Sequence, residues 1–456
     1  MTSQRESSSF RDNRGYVFWQ DGTAYRRINS DGKVAYDQLM ASGLYEQLTK
    51  RGLLVKHEEA TLESDDAKGA YKVIKPTQLP LITYPYEWSF SQLKDAALAT
   101  LEIQRVALEH GLVLRDASAY NIQWVDGKPQ LIDTLSFDVY INGEPWVAYR
   151  QFCQHFLAPL TLMSHIDPGL LQLLRVYIDG IPLPIAAKML PTRARLDFGL
   201  ATHISLHARY QKSHEDSGRR AAASVSTVSL KGMLENLTRT VSKLKLRVSE
   251  TQWGDYYNNT NYSDASFQEK KVITEEFLKG IKADRVLDLG ANDGSFSRVA
   301  ARLGANVVSA DIDPLAVEAN YVRVRERGEG LILPLLIDLT NPSPDLGWDN
   351  AERRSFTHRA KADVALSLAL IHHLAIANNL PLEMVAEYFA KLAPHLIIEF
   401  VPKEDSQVKR LLATREDIFP EYTPDGFEAA FSKHYKIVQQ REVKGSARVM
   451  YLMERR

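Results

Sequence analysis

Residues 286–297 read VLDLGANDGSFS, a hydrophobic strand (Val286 to Leu289) that runs into a turn carrying Gly290 and Gly294 and then into a helix. The two glycines let main chain approach a ligand closely, and Asp288 at the strand end can orient the loop or accept from an ammonium group. Twenty-three positions beyond Asp288, the next strand, NVVSAD (306–311), ends in Asp311. An acidic group at the tip of a second strand accepts both hydroxyls of a ribose, so the pair of strands implies a nucleoside. The strand ends of one open sheet line a single crevice, which turns Asp338 after the third strand and Ser367 after the fourth toward the same ligand.

Outward from this stretch, apolar strands alternate with helices: RVLDLG, NVVSADI, LILPLLID, ADVALSLAL, PHLIIEFV, KIVQQREV and RVMYLM. The alternation predicts an α/β Rossmann-like domain with a parallel sheet, and runs such as Val364 to Leu370 are apolar on both faces, as a helix-covered sheet requires. The last two runs are close enough for an antiparallel C-terminal hairpin. The spacing is GxxxG with aspartate two residues before its first glycine, not GxGxxG, which shifts the expected ligand from a dinucleotide to S-adenosylmethionine. From about Ala283 to Arg456 the sequence resembles the class I S-adenosylmethionine-dependent methyltransferases. The resemblance implies that DLGANDG (288–294), with Asp288, Gly290, Asn292 and Gly294, is the methionine-end loop. It also makes Asp311 the ribose acceptor, Ile312 an apolar wall for adenine, and Asp338 with Leu339 the adenine-side loop.

Methyl transfer by in-line displacement follows from that resemblance, and near-attack positioning can supply roughly 7 to 11 kcal/mol of such a barrier. A hydroxyl acceptor also has to lose its proton. LIHHL (370–374) follows the fourth strand, where the acceptor would lie, so His372 or His373 is the candidate base, the alternative being helix-start packing. Adjacent histidines diverge on a helix and no third ligand can be named, which argues against a metal there. Two segments are expected to border the cleft: WGDYYNNTNYS (253–263), suited to stacking and bonding a sugar or to packing as a loop, and EFVPKED (399–405), suited to orienting an acceptor or to solvation.

The first half reads as α+β. GYVFWQDGTAYRRI (15–28) and NIQWVDGKPQLID (121–133) each place Asp-Gly between short strands, a hairpin signal, and SQLKDAALATLEIQRVALEHG (91–111) carries Leu93, Ala97, Leu101, Gln104 and Leu108 on one helical stripe. LRDASAYN (114–121), a hairpin and then Leu131-Ile132-Asp133 keep the order of a phosphotransfer site: a base aspartate, Asp116, followed by two magnesium ligands, Asn121 and Asp133. Residues 84–137 therefore resemble the catalytic loop of kinase-like folds, which implies ATP and magnesium if that site is active. The pattern departs from the family: Leu114 stands where histidine usually precedes the arginine, Thr134-Leu135 replaces Phe-Gly, and no glycine-rich loop is recognisable. Lys72 and Lys75 are the candidates for a phosphate-pairing lysine. The bland alternative is a loop stabilised by a buried aspartate and asparagine.

The order of a kinase-like half, WGDYYNNTNYS and DLGANDG is similar to the bacterial nodulation host-specificity methyltransferase family over nearly the full chain. That resemblance suggests O-methylation of a glycan or carbohydrate-containing small molecule. The alternatives are a bifunctional kinase and methyltransferase, or a methyltransferase for RNA or protein whose kinase-like half binds substrate.

Length and composition frame these readings. With 456 residues, 45% hydrophobic and 25% charged, the chain has ordinary globular composition and is long enough for two or three cores. A disordered tail is expected over 1–14, a degenerate kinase-like domain over 15–210, a basic linker and amphipathic helix over 211–250, and the methyltransferase domain over 251–456. Between 209 and 249 nine basic side chains face three acidic ones, a local balance of +6 within a chain of net charge −1, so nothing global attracts nucleic acid. Leu230, Leu234, Leu237, Val241 and Leu244 recur there at helical spacing, which reads as a packed helix with a solvated basic face. Cys153 is the single cysteine, which excludes an internal disulfide and multi-cysteine metal sites, and no apolar leader or membrane-length stretch is seen; a cytoplasmic protein is expected. Sequence does not set the oligomeric state.

Overall fold

The computed structural model describes residues 3–206, 224–246, 264–413 and 415–456. The chain divides into two compact units, one of Met1–Val248 with Asp345–Arg353 and the other of Ser249–Pro344 with Arg354–Arg456.

The first unit holds a five-stranded antiparallel sheet in the order β1-β2-β3-β5-β4, built from β1 (Ser3–Arg5), β2 (Gly15–Gln20), β3 (Thr23–Ile28), β4 (His57–Glu59) and β5 (Lys72–Pro76). Asp21 and Gly22 close the β2–β3 hairpin with φ of 51° and 74°, the doubly positive pair that a two-residue turn matched to strand twist needs. Two-stranded pieces follow: β6 (Leu112–Leu114) pairs with β9 (Phe137–Val139), and β7 (Ile122–Val125) with β8 (Lys128–Leu131) through the second Asp-Gly turn. Between β5 and β6 in the chain comes the helix Phe90–Glu109. Its cap is Ser89, two residues before the start read from the sequence, because Ser89 and Gln92 bond each other's backbone N–H reciprocally. The predicted stripe is buried, and the wholly buried Gln104 accepts from Leu114 N at 2.7 Å, so the one polar member of the stripe pins β6 to the helix.

Two expectations need correction here. Residues 3–14 are not a frayed tail: β1 adds an edge to β2, and Arg11 forms a two-pronged ion pair with the buried Glu352 at 2.8 and 2.9 Å. A three-residue polar edge strand carries no periodicity, which is why the sequence hid it. The amphipathic helix (Thr227–Lys243) packs as its spacing predicts, but the boundary between the units falls after it and not across 211–250. It lies inside the first unit with Leu230, Leu234, Leu237 and Val241 buried, and Lys94 of the long helix donates to the carbonyls of Ser242 and Leu244 at 2.8 Å.

The second unit is one seven-stranded sheet in the order β12-β11-β10-β13-β14-β16-β15. Its strands are β10 (Arg285–Leu289), β11 (Asn306–Asp311), β12 (Ile332–Leu336), β13 (Val364–Ser367), β14 (His395–Phe400), β15 (Tyr435–Glu442) and β16 (Val449–Arg455). The first five are parallel and the last two form the antiparallel hairpin, as the run of strands predicts. One face is packed by Ile273, Phe277 and Leu278 of the helix Asp264–Ile281 and by Val299 and Ala300 of Ser297–Arg302, against Val286, Val307, Val364, Leu366 and Ile397. Chain order reverses between β10 and β13. Because Leu289 is level with Ser367 and with Ala310, the loops after β10, β11 and β13 open on one edge, at the switch point where such sheets bind ligands.

Candidate active site

The glycine loop is built by backbone. Gly290 N and Ala291 N both donate to Ala310 O, at 2.9 and 3.0 Å, which staples the turn to the neighbouring strand. Gly290, Asn292 and Gly294 have φ of 75°, 48° and 75°. A Cβ on Gly294 would stand 2.5 Å from the Asn320 side chain, so this position admits only glycine on steric as well as torsional grounds. Behind the loop Arg298 bonds Asp293 O and Asn320 Oδ1 (2.7 and 3.1 Å), and Arg323 pairs with the Asp293 carboxylate at 2.6 Å. These supports lie outside the DLGANDG motif and carry no spacing signal of their own.

Asp288 is buried beneath the loop. One carboxylate oxygen lies 2.6 Å from Ser297 Oγ, which is 2.9 Å from Ser309 Oγ, and burial pushes the Asp288 carboxyl up to about 7. Of the two roles read for it, orienting the loop is the one its contacts serve. Asp311 stands at the sheet edge, half-buried; its two oxygens accept from Asn292 N (2.7 Å) and Asp313 N (2.9 Å). Burial raises its pKa, opposed by these backbone bonds. An ionised carboxylate offers about four lone-pair sites, more than these backbone bonds occupy, which leaves capacity for a ribose hydroxyl. Ile312 is 54% exposed beside it, an apolar surface at a strand tip. Asp311 O also accepts from Ile337 N at 2.8 Å, which draws the third loop alongside, although Asp338 turns its carboxylate onto Thr340 N and Oγ1 (2.8 and 2.7 Å) and Leu339 is half-exposed. Ser367 is wholly buried with its Oγ unpartnered. Two left-handed glycines, a carboxylate with spare acceptors and an open apolar side chain fit S-adenosylmethionine.

The two histidines differ in accessibility. His372 is wholly buried, neither ring nitrogen has a partner, and burial with its neighbour His373 drives its pKa well below the ordinary value. His373 is half-buried, its ring 4.2 Å from that of His372, and burial lowers it to about 4. Both are neutral at neutral pH. The charges of 399–405 do not face solvent as a group: Glu399 is wholly buried against Lys270 (2.6 Å), Asp405 pairs with Arg448 (2.8 Å) and Lys403 with Asp417 (2.7 Å). Lys270 and Arg448 lie 129 and 49 residues from Glu399, beyond reach of any local motif. WGDYYNNTNYS lies outside the described residues.

In the first unit Asp116, Asn121 and Asp133 do come together. Asp116 accepts from Ser118 N and Gln151 Nε2 (2.9 and 2.8 Å) and bonds Asn121; burial, with the Asp133 charge second, raises its pKa. Asp133 is already committed: one oxygen accepts from Leu135 N and Arg26 Nη2 (2.9 and 2.6 Å), the other from Ser136 Oγ (2.9 Å), while Asn121 donates to Ser136. This donor set does not fit a magnesium ion, which would have to displace a guanidinium; among the described residues no group of three or more acidic, histidine or cysteine side chains is arranged to hold a metal. Neither candidate lysine reaches the cluster, since Lys72 and Lys75 pair with Glu59 and Glu58 at the surface. Arg26, on β3, is the cation that sequence reasoning missed.

Comparison with known proteins bears on the whole chain. No protein-family model matches it. It is 37% identical over 460 residues to nodulation protein NoeA of Rhizobium meliloti (strain 1021), across 99% of this chain and 96% of that one. The chain belongs to the NoeA family of nodulation proteins. This NoeA-family member also shares 42% identity over 64 residues, 14% of its length and 32% of the relative's, with the ribosomal RNA large subunit methyltransferase E of Archaeoglobus fulgidus. Among solved structures, magnesium protoporphyrin IX methyltransferase from Synechocystis PCC 6803 is 18% identical, with 45% of this chain and 92% of that one covered at a TM-score of 0.34. Among the described residues no helix is long and apolar enough to cross a membrane.

Proposed function

We propose that the protein is an S-adenosylmethionine-dependent methyltransferase that O-methylates a glycan or carbohydrate-containing small molecule. The observation that carries the donor assignment is Asp311, a half-buried carboxylate with unused acceptor sites beside two glycine turns and the exposed Ile312. Sequence likeness to a methyltransferase over 64 residues supports the reaction class, and the acceptor class is the one that the resemblance to the nodulation host-specificity methyltransferases suggests. When bound, S-adenosylmethionine supplies an electrophilic methyl group. Gly290, Asn292 and Gly294 shape the turn around its methionine end, Asp311 accepts from its ribose, Ile312 covers one face of its adenine, and Leu339 and Asp338 border the other side. His373, half-buried and neutral, takes the acceptor proton; His372 is sealed behind it and packs.

The first unit, on this reading, captures the acceptor and does not transfer phosphate, because Arg26 occupies the cation position beside Asp133. ATP and magnesium are then not its cofactors. Incubation with methyl-labelled donor and a panel of cellular glycans, lipids and RNA, followed by product mass spectrometry, tests the proposal. A labelled carbohydrate hydroxyl is expected; label in RNA, or none with any acceptor, overturns the substrate assignment.

A further inference from the structure

Glu399 at the end of β14 is the centre of a buried, electrically balanced network. Its carboxylate meets Lys270 Nζ at 2.6 Å, with side-chain exposures of 0% and 2%, and Arg448 at 3.5 Å; Arg448 pairs in turn with Asp405 at 2.8 Å. Among the described residues two acids and two bases, from the helix Asp264–Ile281, the end of β14, the loop that follows it and the residue before β16, balance one another, with Glu399, Lys270 and Arg448 almost wholly out of contact with water and Asp405 at the rim. Apolar side chains of the same volume commonly hold a core as well as such a network does, so packing alone does not account for it.

The network does one thing that apolar side chains cannot. The Glu399 oxygen that faces Lys270 also accepts from Ala369 N at 2.7 Å. Ala369 has φ of 51°, a left-handed conformation that a residue with a Cβ adopts only when its surroundings fix it. The next residue, Leu370, lies over the glycine loop: its Cδ1 is 3.1 Å from where a Cβ on Gly290 would stand. Contact therefore runs without a gap from Lys270 through Glu399 and Ala369 to Leu370 and Gly290.

We propose that Glu399 is a positioning residue whose buried carboxylate fixes the left-handed turn at Ala369 and so wedges Leu370 against the glycine loop, setting the depth of the pocket for the donor's methionine end. The inference rests on the donor reading given above, and the test separates the two. E399L/K270M removes one charge of each sign and leaves Arg448 with Asp405, so among the described residues it buries no lone charge; E399Q/K270M does the same but keeps an oxygen for Ala369 N. In the full chain, S-adenosylhomocysteine measured by calorimetry is expected to bind E399L/K270M at least tenfold more weakly than the parent, with faster amide exchange confined to 367–373. E399Q/K270M should restore most of both losses, which a purely structural role would not produce. Leu370→Ala leaves the network intact and should reproduce the weaker binding without faster exchange at Ala369. Equal affinity and exchange in the two double variants, or an unaltered affinity in Leu370→Ala, overturns the wedge. If the parent does not bind S-adenosylhomocysteine, the donor reading falls and exchange alone decides: protection of 367–373 that survives in E399L/K270M overturns the positioning role, and selective loss supports it.

Discussion

Two aspartates, one in each unit, sit at or just past the end of a strand in sequences that look ready to hold a ligand, and the structure treats them in opposite ways. Asp311 spends its oxygens on backbone N–H groups alone at an open sheet edge and keeps acceptor capacity. Asp133 follows β8 in a loop of equal promise, yet it is met by Arg26 from a strand more than 100 residues earlier. The difference teaches that a local motif encodes where a carboxylate will stand but not who will neutralise it. Backbone donors come with the turn and leave charge for a ligand, whereas a guanidinium cancels it. Ligand readiness is thus a property of the fold around the motif.

The sharpest way to break the comparison is to close the open side. Gly294→Val places a β-branched side chain at φ 75° and 2.5 Å from Asn320. Left-handed strain of about 1–2 kcal/mol and an overpacking cost of about 1–3 kcal/mol should together abolish detectable S-adenosylhomocysteine binding in calorimetry. The next effect in size is Asp311→Ala. Loss of charge-assisted bonds worth about 1.5–3 kcal/mol should weaken that binding on the order of 10- to 100-fold, while Asp133→Ala leaves it unaltered. Equal losses from both substitutions would erase the distinction between the two aspartates.

How far each unit could be read follows from the range of the interactions that build it. The alternation of apolar runs from Arg285 onward is a local, repeated pattern, and it predicts the parallel sheet with its closing hairpin because every strand is separately visible. Gly290, Gly294 and Asp311 were legible for the same reason, since their positions are fixed by one turn and one strand end. Asn320 and Arg323, which hold the glycine loop, and Lys270 and Arg448, which meet Glu399, are distant in the chain and look like ordinary polar residues until the fold brings them in. The aspartate roles show the limit: Asp288 read equally as a loop anchor or an ammonium acceptor, and only its burial beside Ser297 separates the two. In the first unit the order Asp116, Asn121, Asp133 was legible, but the arginine that fills the metal position was not.

The buried Asp288 sharpens the comparison through pH. Its carboxyl titrates at about 7 in the folded chain against 3.8 for the unperturbed group, so between those values the folded state holds a proton that the unfolded state has lost. This group's contribution to stability is therefore greatest below pH 4, falls as pH rises toward 7 by up to about 1.4 kcal/mol per pH unit, and levels off above. Asp288→Asn should flatten that part of the stability profile in urea titrations at pH 5, 6 and 7; an unaltered slope would show that the carboxyl is ionised throughout.

The smallest expected effect tests the closed side. A ligand at a concentration equal to its Kd stabilises a protein by only about 0.4 kcal/mol, so with Asp133 satisfied by Arg26, millimolar ATP with magnesium should leave the melting temperature of the whole chain within about one degree. Arg26→Met removes the guanidinium from the Asp133 oxygen it shares with Leu135 N, beside Asn121 and Asp116, and the same addition should then raise the melting temperature in a magnesium-dependent way. Stabilisation of the parent by ATP that requires magnesium would mean that Arg26 yields its place readily. The two aspartates would then differ in what they await and no longer in whether they are free to receive it.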